Sequence, residues 1–105
     1  MPIVGAVILH APICRAIRSR TLVEFDYDGL HRIVAPYCHG VTHKHVEVLR
    51  AIQIGGASRS SGFGFGKLWH VEKMINLCTS DEKFLPTDPS YNPDDSVMMR
   101  ICCRV

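Results

Sequence analysis

The residues of this sequence that could do chemistry are its cysteines, its histidines and one arginine in an unexpected place. Cys38, His39, His43 and His45 fall close together, with Cys78 further along the chain. Thiolate and imidazole are the ligands zinc prefers, so this is where a metal would be sought first. Structural zinc sites usually pair their cysteines at tight spacing, and the sequence holds no Cys-x-x-Cys. The plainer reading is a polar turn with solvent-exposed imidazoles, and the expectation is no metal and no cofactor. A Cys38–His39 nucleophile pair is also disfavoured, because neighbours on a strand point to opposite faces. There is no Gly-x-Ser-x-Gly elbow. Adjacent carboxylates occur at Asp94-Asp95, in what reads as a turn or cap. The chain is therefore not expected to be an enzyme.

Gly62-Phe63-Gly64-Phe65-Gly66-Lys67 looks at first like a nucleotide loop. The phosphate-loop pattern needs glycine where Ser61 stands and a hydroxyl residue where Leu68 stands, and it opens a helix rather than a strand. Two readings remain for this segment. It is either a hairpin loop whose Phe63 and Phe65 cover one end of the fold, or a lid whose aromatics stack on a ligand or base. Arg50 is more telling. It sits between Val48 and Ile52 in the row Val46, Val48, Arg50, Ile52, Ile54. A guanidinium in an apolar row is costly unless it is paired or faces a cavity. Its stem could pack while its head reaches water or Glu47, or it could face a ligand.

Around these residues the composition is that of an ordinary folded domain. Of 105 residues, 47% are hydrophobic and 21% charged, enough for a modest core in a single domain spanning 1–105. Residues 1–80 carry nine Lys/Arg against five Asp/Glu, whereas 81–105 carry three against five, so a mildly basic body precedes an acidic end. That balance permits contact with phosphates without demanding it. Five cysteines, an odd number with two adjacent, do not resemble a secreted disulfide framework, and they read as reduced thiols in a reducing compartment. The apolar stretch 1–9 is too short to cross a bilayer and has no charged lead-in. The expected location is the cytoplasm, with no membrane partner.

The elements that must position these groups follow from periodicity. Ile13, Ala16 and Ile17 share a helical face over about 11–20, with Pro12 suited to the first turn. Leu22 to Tyr27 then alternates as a strand. Asp28-Gly29 is a strong two-residue hairpin signal. A return strand runs to about Cys38, with Pro36 near its end, and a turn centres on Gly40. Strands follow at about 46–54, 67–71 and 75–79, with the loop 57–66 between the first two. The three prolines Pro86, Pro89 and Pro93 mark 81–105 as an extended segment, ending in an apolar run that suits a last strand. The expected fold is mainly β, one short N-terminal helix followed by a small antiparallel barrel over about 21–80, since closure removes exposed edges.

The order of these blocks resembles the WYL domains of bacterial regulators. A helix running into a strand matches at Ala16-Ile17-Arg18-Ser19-Arg20-Thr21-Leu22-Val23-Glu24-Phe25-Asp26-Tyr27. The next block matches at Arg32-Ile33-Val34-Ala35-Pro36-Tyr37, the naming strand at Glu47-Val48-Leu49-Arg50-Ala51-Ile52, and the last block at Trp69-His70-Val71-Glu72-Lys73-Met74. The resemblance covers about residues 14–82. Leu49 and Ala51 are what remains of the naming strand, and His70 and Lys73 stand where the family has arginines. The resemblance implies an Sm-like or SH3-like barrel and a stand-alone sensor or regulatory module without the usual DNA-binding helix-turn-helix.

Two functional expectations follow. The first is a non-enzymatic module that binds nucleic acid or a small anionic ligand through Arg50, His70, Lys73, Lys67 and Leu49. The second is a structural or interaction subunit, a homo-oligomer joined through exposed strand edges, to which the apolar C-terminus could add a strand.

Overall fold

A computed structural model describes residues 4–57 and 67–105, with the side chains described from residue 11 onward. The phosphate-loop-like segment, apart from Lys67, lies outside the described residues. The chain forms helix α1 (Val4–Ser19) and six strands: β1 (Thr21–Tyr27), β2 (Leu30–Thr42), β3 (Glu47–Gly56), β4 (Leu68–His70), β5 (Ile75–Lys83) and β6 (Met98–Arg104). No helix is long and apolar enough to cross a membrane among the described residues.

Helix α1 buries the stripe the periodicity marks: Ile13 and Ile17 are fully buried and Ala16 nearly so, while Arg15, Arg18 and Arg20 stay exposed. The helix also starts earlier than expected. It carries Pro12 in its interior rather than in its first turn, where the ring removes one backbone donor. Arg20 adopts a left-handed φ of 58° and ends the helix, its amide donating to Ile17 O.

The β1–β2 hairpin turns at Asp28-Gly29, both with positive φ, and pairs Tyr27 with Leu30, as the Asp-Gly signal requires. Strand β2 is much longer than its expected end at Cys38. It pairs with β3 along one edge, and along the other with β1 over its first half and β6 over its second. Pro36 therefore lies inside a strand. It is tolerated there because the β2–β3 register shifts between Pro36 and Cys38, a bulge that absorbs the missing donor. Gly40 is not a turn residue either. It is buried in β2, and a Cβ there would lie 2.3 Å from Arg100 O, so only glycine lets β6 approach this closely. The turn comes later, around His43 to His45, all exposed.

The resulting sheet is antiparallel, in the order β4-β3-β2-β1-β5 with β6 on β2, and it stays open. The expectation of a closed barrel is not met: β4 is only three residues long and ends one edge, and β5 ends the other without meeting it. The acidic end is not simply extended. It contains the close of β5 and all of β6, and β6 pairs with this chain's own β2.

Apolar residues cover both faces of the sheet. The main cluster joins α1 to Val23, Phe25, Val34, Leu49, Ala51 and Trp69. A second, around Leu22, Ala35 and Tyr37, is closed by Phe84 and Tyr91 from the proline-containing segment. A third holds Cys38, Val48 and Met98. The row chosen from sequence as the core face of β3 is thus the minor one, and Ile54 in it is 48% exposed. One further expectation is overturned. Cys14 on α1 and Cys103 on β6 form a disulfide across 89 residues, so these two are not free thiols, whereas Cys38, Cys78 and Cys102 are.

Candidate anion-binding site

At the end of the sheet where β3 runs out toward residue 57, four strands bring together Tyr27, Arg32, Gln53 and Trp69, with Lys67 just before β4. Arg32 sits in β2 opposite Phe25 and Gly56, in the same row as the buried Val34. Its residue is only 3% exposed. The guanidinium donates from Nε and Nη2 to Tyr27 O, at 3.3 and 3.1 Å, and from Nη1 to Gln53 Oε1 at 3.3 Å. Gln53 is locked in that orientation because its own Nε2 donates to Gly55 O and Ala57 O, at 2.9 and 2.8 Å. The Arg32 carbon lies 5.4 Å from the centre of the Trp69 ring and 5.9 Å from that of Tyr27. Lys67 places its Nζ 4.9 Å from the centre of the Trp69 ring.

The aromatic rings around this corner pack edge to face. Trp69 meets Tyr27 edge-on at 5.0 Å and Phe25 at 5.3 Å, and its indole N–H donates to Ala51 O. The Tyr27 hydroxyl accepts the backbone N–H of His70 at 3.1 Å. Two cations therefore share one indole, and no described carboxylate pairs with either. Cation–π contact offsets part of the desolvation of a guanidinium, but a buried charge without a counter-ion keeps a strong positive field at this corner.

Of the residues expected to form a site, Lys67 belongs to this corner and His70 touches it through its backbone. Leu49 is fully buried in the main core and offers no surface. Lys73 is exposed at the end of the 3-10 turn Val71–Lys73. Arg50 is elsewhere, on the opposite face of β3 from Leu49, Ala51 and Gln53. Its Nε and Nη2 grip the two carboxylate oxygens of Asp95 at 2.7 and 3.2 Å, and Glu47 bonds His39. Burial pushes the Asp95 carboxyl up, but hydrogen bonds from Arg50 and from the Val97 amide, with the Arg50 charge, outweigh it and hold the group below the usual value.

The histidine and cysteine cluster weighed from sequence does not converge. His43 and His45 are exposed, Cys78 lies exposed on β5, and Cys38 is buried with its Sγ 3.6 Å from Met98 Sδ. Burial pushes the Cys38 thiol up to about 11, so it is a poor nucleophile at neutral pH. A concavity of about 550 Å³ opens between α1 and β5 and is lined by Arg15, Ser19, Cys78, Ser80 and Asp81 among others. Its acid and base are both exposed, and it has no buried charge to set a preference.

Sequence reasoning passed over Arg32 and Gln53. The signal was available: Arg32 is in register with Val34, an arginine in an apolar row just as Arg50 is. Comparison with protein-family models, with curated proteins and with solved structures finds no match.

Proposed function

We propose that this chain is a non-enzymatic binding module that takes a phosphate-bearing ligand at the Arg32–Lys67–Trp69 corner, as a sensor or regulatory domain would. The observation that supports this reading is the burial of Arg32 against neutral partners. A fold selected for stability alone would gain by giving that guanidinium a carboxylate or replacing it with an apolar side chain. Retaining it makes sense where an anion completes the site. Lys67, half-buried beside the indole, is the group a ligand would touch, and Arg32 raises the potential from beneath. Tyr27, which is only partly buried, adds a ring on which a base can stack. The WYL resemblance points the same way, toward a ligand-sensing module.

The test is a titration with a nucleoside triphosphate and with single-stranded RNA and DNA at two salt concentrations. Binding that weakens with salt and is reduced by Lys67→Ala supports the site. Salt-insensitive binding, or affinity unchanged in Lys67→Ala, refutes it. Preference for the nucleotide over the strands would make the ligand a small molecule.

A second reading, an assembly subunit, rests on β5. This edge strand leaves Ile75 62% exposed, and its outer edge has no partner strand among the described residues. Lys83, Asp81 and Glu82 crowd its end, as charges do on edges that must stay single. Sedimentation at micromolar concentration separates the readings: a stable oligomer that Ile75→Lys dissociates would favour assembly.

A further inference from the structure

We infer that Cys14, His39 and Cys103 form a zinc-binding site in the reduced protein. The three side chains come from α1, β2 and β6, and their ligand atoms lie within 4.8 Å of one another. His39 Nδ1 is 3.6 Å from Cys14 Sγ and 3.8 Å from Cys103 Sγ. Zinc holds nitrogen at about 2.0–2.1 Å and sulfur at about 2.3 Å, so tetrahedral geometry separates an N ligand from an S ligand by about 3.6 Å. The imidazole already stands at that separation from both sulfurs.

The fourth residue is what makes the donor set specific. His39 Nε2 meets Glu47 Oε2 at 2.7 Å. A carboxylate accepts, so Nε2 carries the hydrogen, and in the neutral ring the lone pair is then on Nδ1, aimed at the sulfurs. A histidine whose far nitrogen is fixed by a carboxylate while its near nitrogen faces thiols is how metal-ligating imidazoles are usually held. Fully buried, His39 cannot swing away to solvent. Glu47 orients the ring and does not itself ligate. Soft thiolates with one imidazole select zinc over magnesium or calcium.

The disulfide and the ion are alternatives, because both use the same two sulfurs. Reduction by a small dithiol moves two electrons into the Cys14–Cys103 bond and closes the reductant's own disulfide. The two thiols then give up their protons to solvent as the ion binds. In either state the helix is fastened to β6. Three protein ligands leave one coordination position for a ligand of the ion.

The site is new to the sequence reading, which looked for a partner for His39 among its neighbours Cys38, His43 and His45. The three ligands are spread over positions 14 to 103, so no spacing motif reveals them.

The experiment uses the full chain, reduced under anaerobic conditions and freed of reductant, with Co²⁺ as a spectroscopic probe and Zn²⁺ as competitor. The expected result is one equivalent of Co²⁺ with sulfur-to-metal charge-transfer and tetrahedral bands, bleached by one equivalent of Zn²⁺. Cys103→Ser should abolish the charge-transfer bands or halve them. Cys38→Ser/Cys78→Ser should leave them unchanged. Because a ligand variant could fail to fold, Glu47→Gln provides the finer probe, with zinc affinity reduced about 10- to 100-fold while circular dichroism stays native. Reduced, folded protein that binds no stoichiometric Co²⁺ overturns the site. So does tetrahedral binding that survives in Cys14→Ser/Cys103→Ser.

Discussion

Two arginines on neighbouring strands show how differently one sheet can treat the same charge. Arg50 on β3 meets Asp95, a residue 45 positions away on the segment that wraps the sheet, in a two-point ion pair with 13% and 9% side-chain exposure. Arg32 on β2 is more deeply buried and meets a backbone carbonyl, a side-chain amide and two rings. Both look alike in the sequence, each a cation in an apolar row. The difference lies in what the rest of the chain brings to them. A compensated charge locks two pieces of a fold together. An uncompensated one marks a place where the protein accepts a cost in stability, and such costs collect at functional sites.

The comparison breaks most sharply if the Arg50 pair proves dispensable. Asp95→Asn removes the counter-ion and leaves a largely buried guanidinium, which should cost about 2–4 kcal/mol, discounted somewhat because the pair keeps some solvent contact. Urea unfolding reads this directly. The double replacement Arg50→Met/Asp95→Leu should recover most of the loss, because an apolar pair of similar volume needs no desolvation of charge. Arg50→Met alone should leave ligand binding intact, since its head is on the other face of β3. A loss below about 0.5 kcal/mol for Asp95→Asn would mean the pair is no more than a surface contact.

Arg32→Met is the mirror experiment. With only neutral partners lost, stability should change by less than about 1 kcal/mol in either direction. Phosphate-ligand affinity should fall at least tenfold, which is about 1.4 kcal/mol. Stability and binding thus cross over between the two arginines: one variant unfolds more readily and binds, the other folds and does not bind. An Arg32→Met protein with wild-type affinity would make Arg32 a purely structural residue.

How much of this could be read from the sequence depends on how local the determinants are. The Asp28-Gly29 hairpin, the buried stripe of α1 and the alternation of Val23 and Phe25 were legible, because each is set by residues within a few positions of one another. The reach of β2 past Pro36 and Gly40 was not, since a bulge and the close approach of β6 make those two residues acceptable inside a strand. Arg50 was legible as anomalous, but its partner was not. Asp95 lies beyond three prolines, in a stretch whose composition says only that it is extended. The Cys14–Cys103 bond was hidden for the same reason, and an odd cysteine count pointed away from it. The open sheet escaped because closure depends on whether β4 and β5 meet, and the three-residue length of β4 is decided by its hydrogen bonds rather than its side chains.

Acid should sharpen the contrast between the two corners. The folded state holds Asp95 below its ordinary value, so the stability it contributes is present above the unfolded carboxylate pKa of about 3.9 and is lost as pH falls through the lower folded value. Loosening in this window should begin where Asp95 anchors 94–97 over the sheet. Amide exchange at Val97, whose N–H donates to Asp95 Oδ1 at 3.1 Å, should rise before that at Arg32. Asp95→Asn should flatten this part of the profile. Uniform exchange across both corners would mean that the ion pair is not what holds the segment down.

The smallest effect is expected at His31, next to Arg32 in sequence but on the solvent side. Hydrogen bonds from its ring to Asp26 and Glu24, at 3.0 and 2.9 Å, raise its pKa above 6.5. The sign is opposite to that of Asp95. The contribution is complete below the unfolded value and disappears as pH rises through the raised folded one. With 52% of the histidine side chain exposed, salt should screen most of it. A proton NMR titration of the His31 ring should give a midpoint above that of an unstructured histidine, moving down in 0.5 M salt or in Asp26→Asn. An unshifted midpoint would show that the acidic pair around His31 exerts no hold on it.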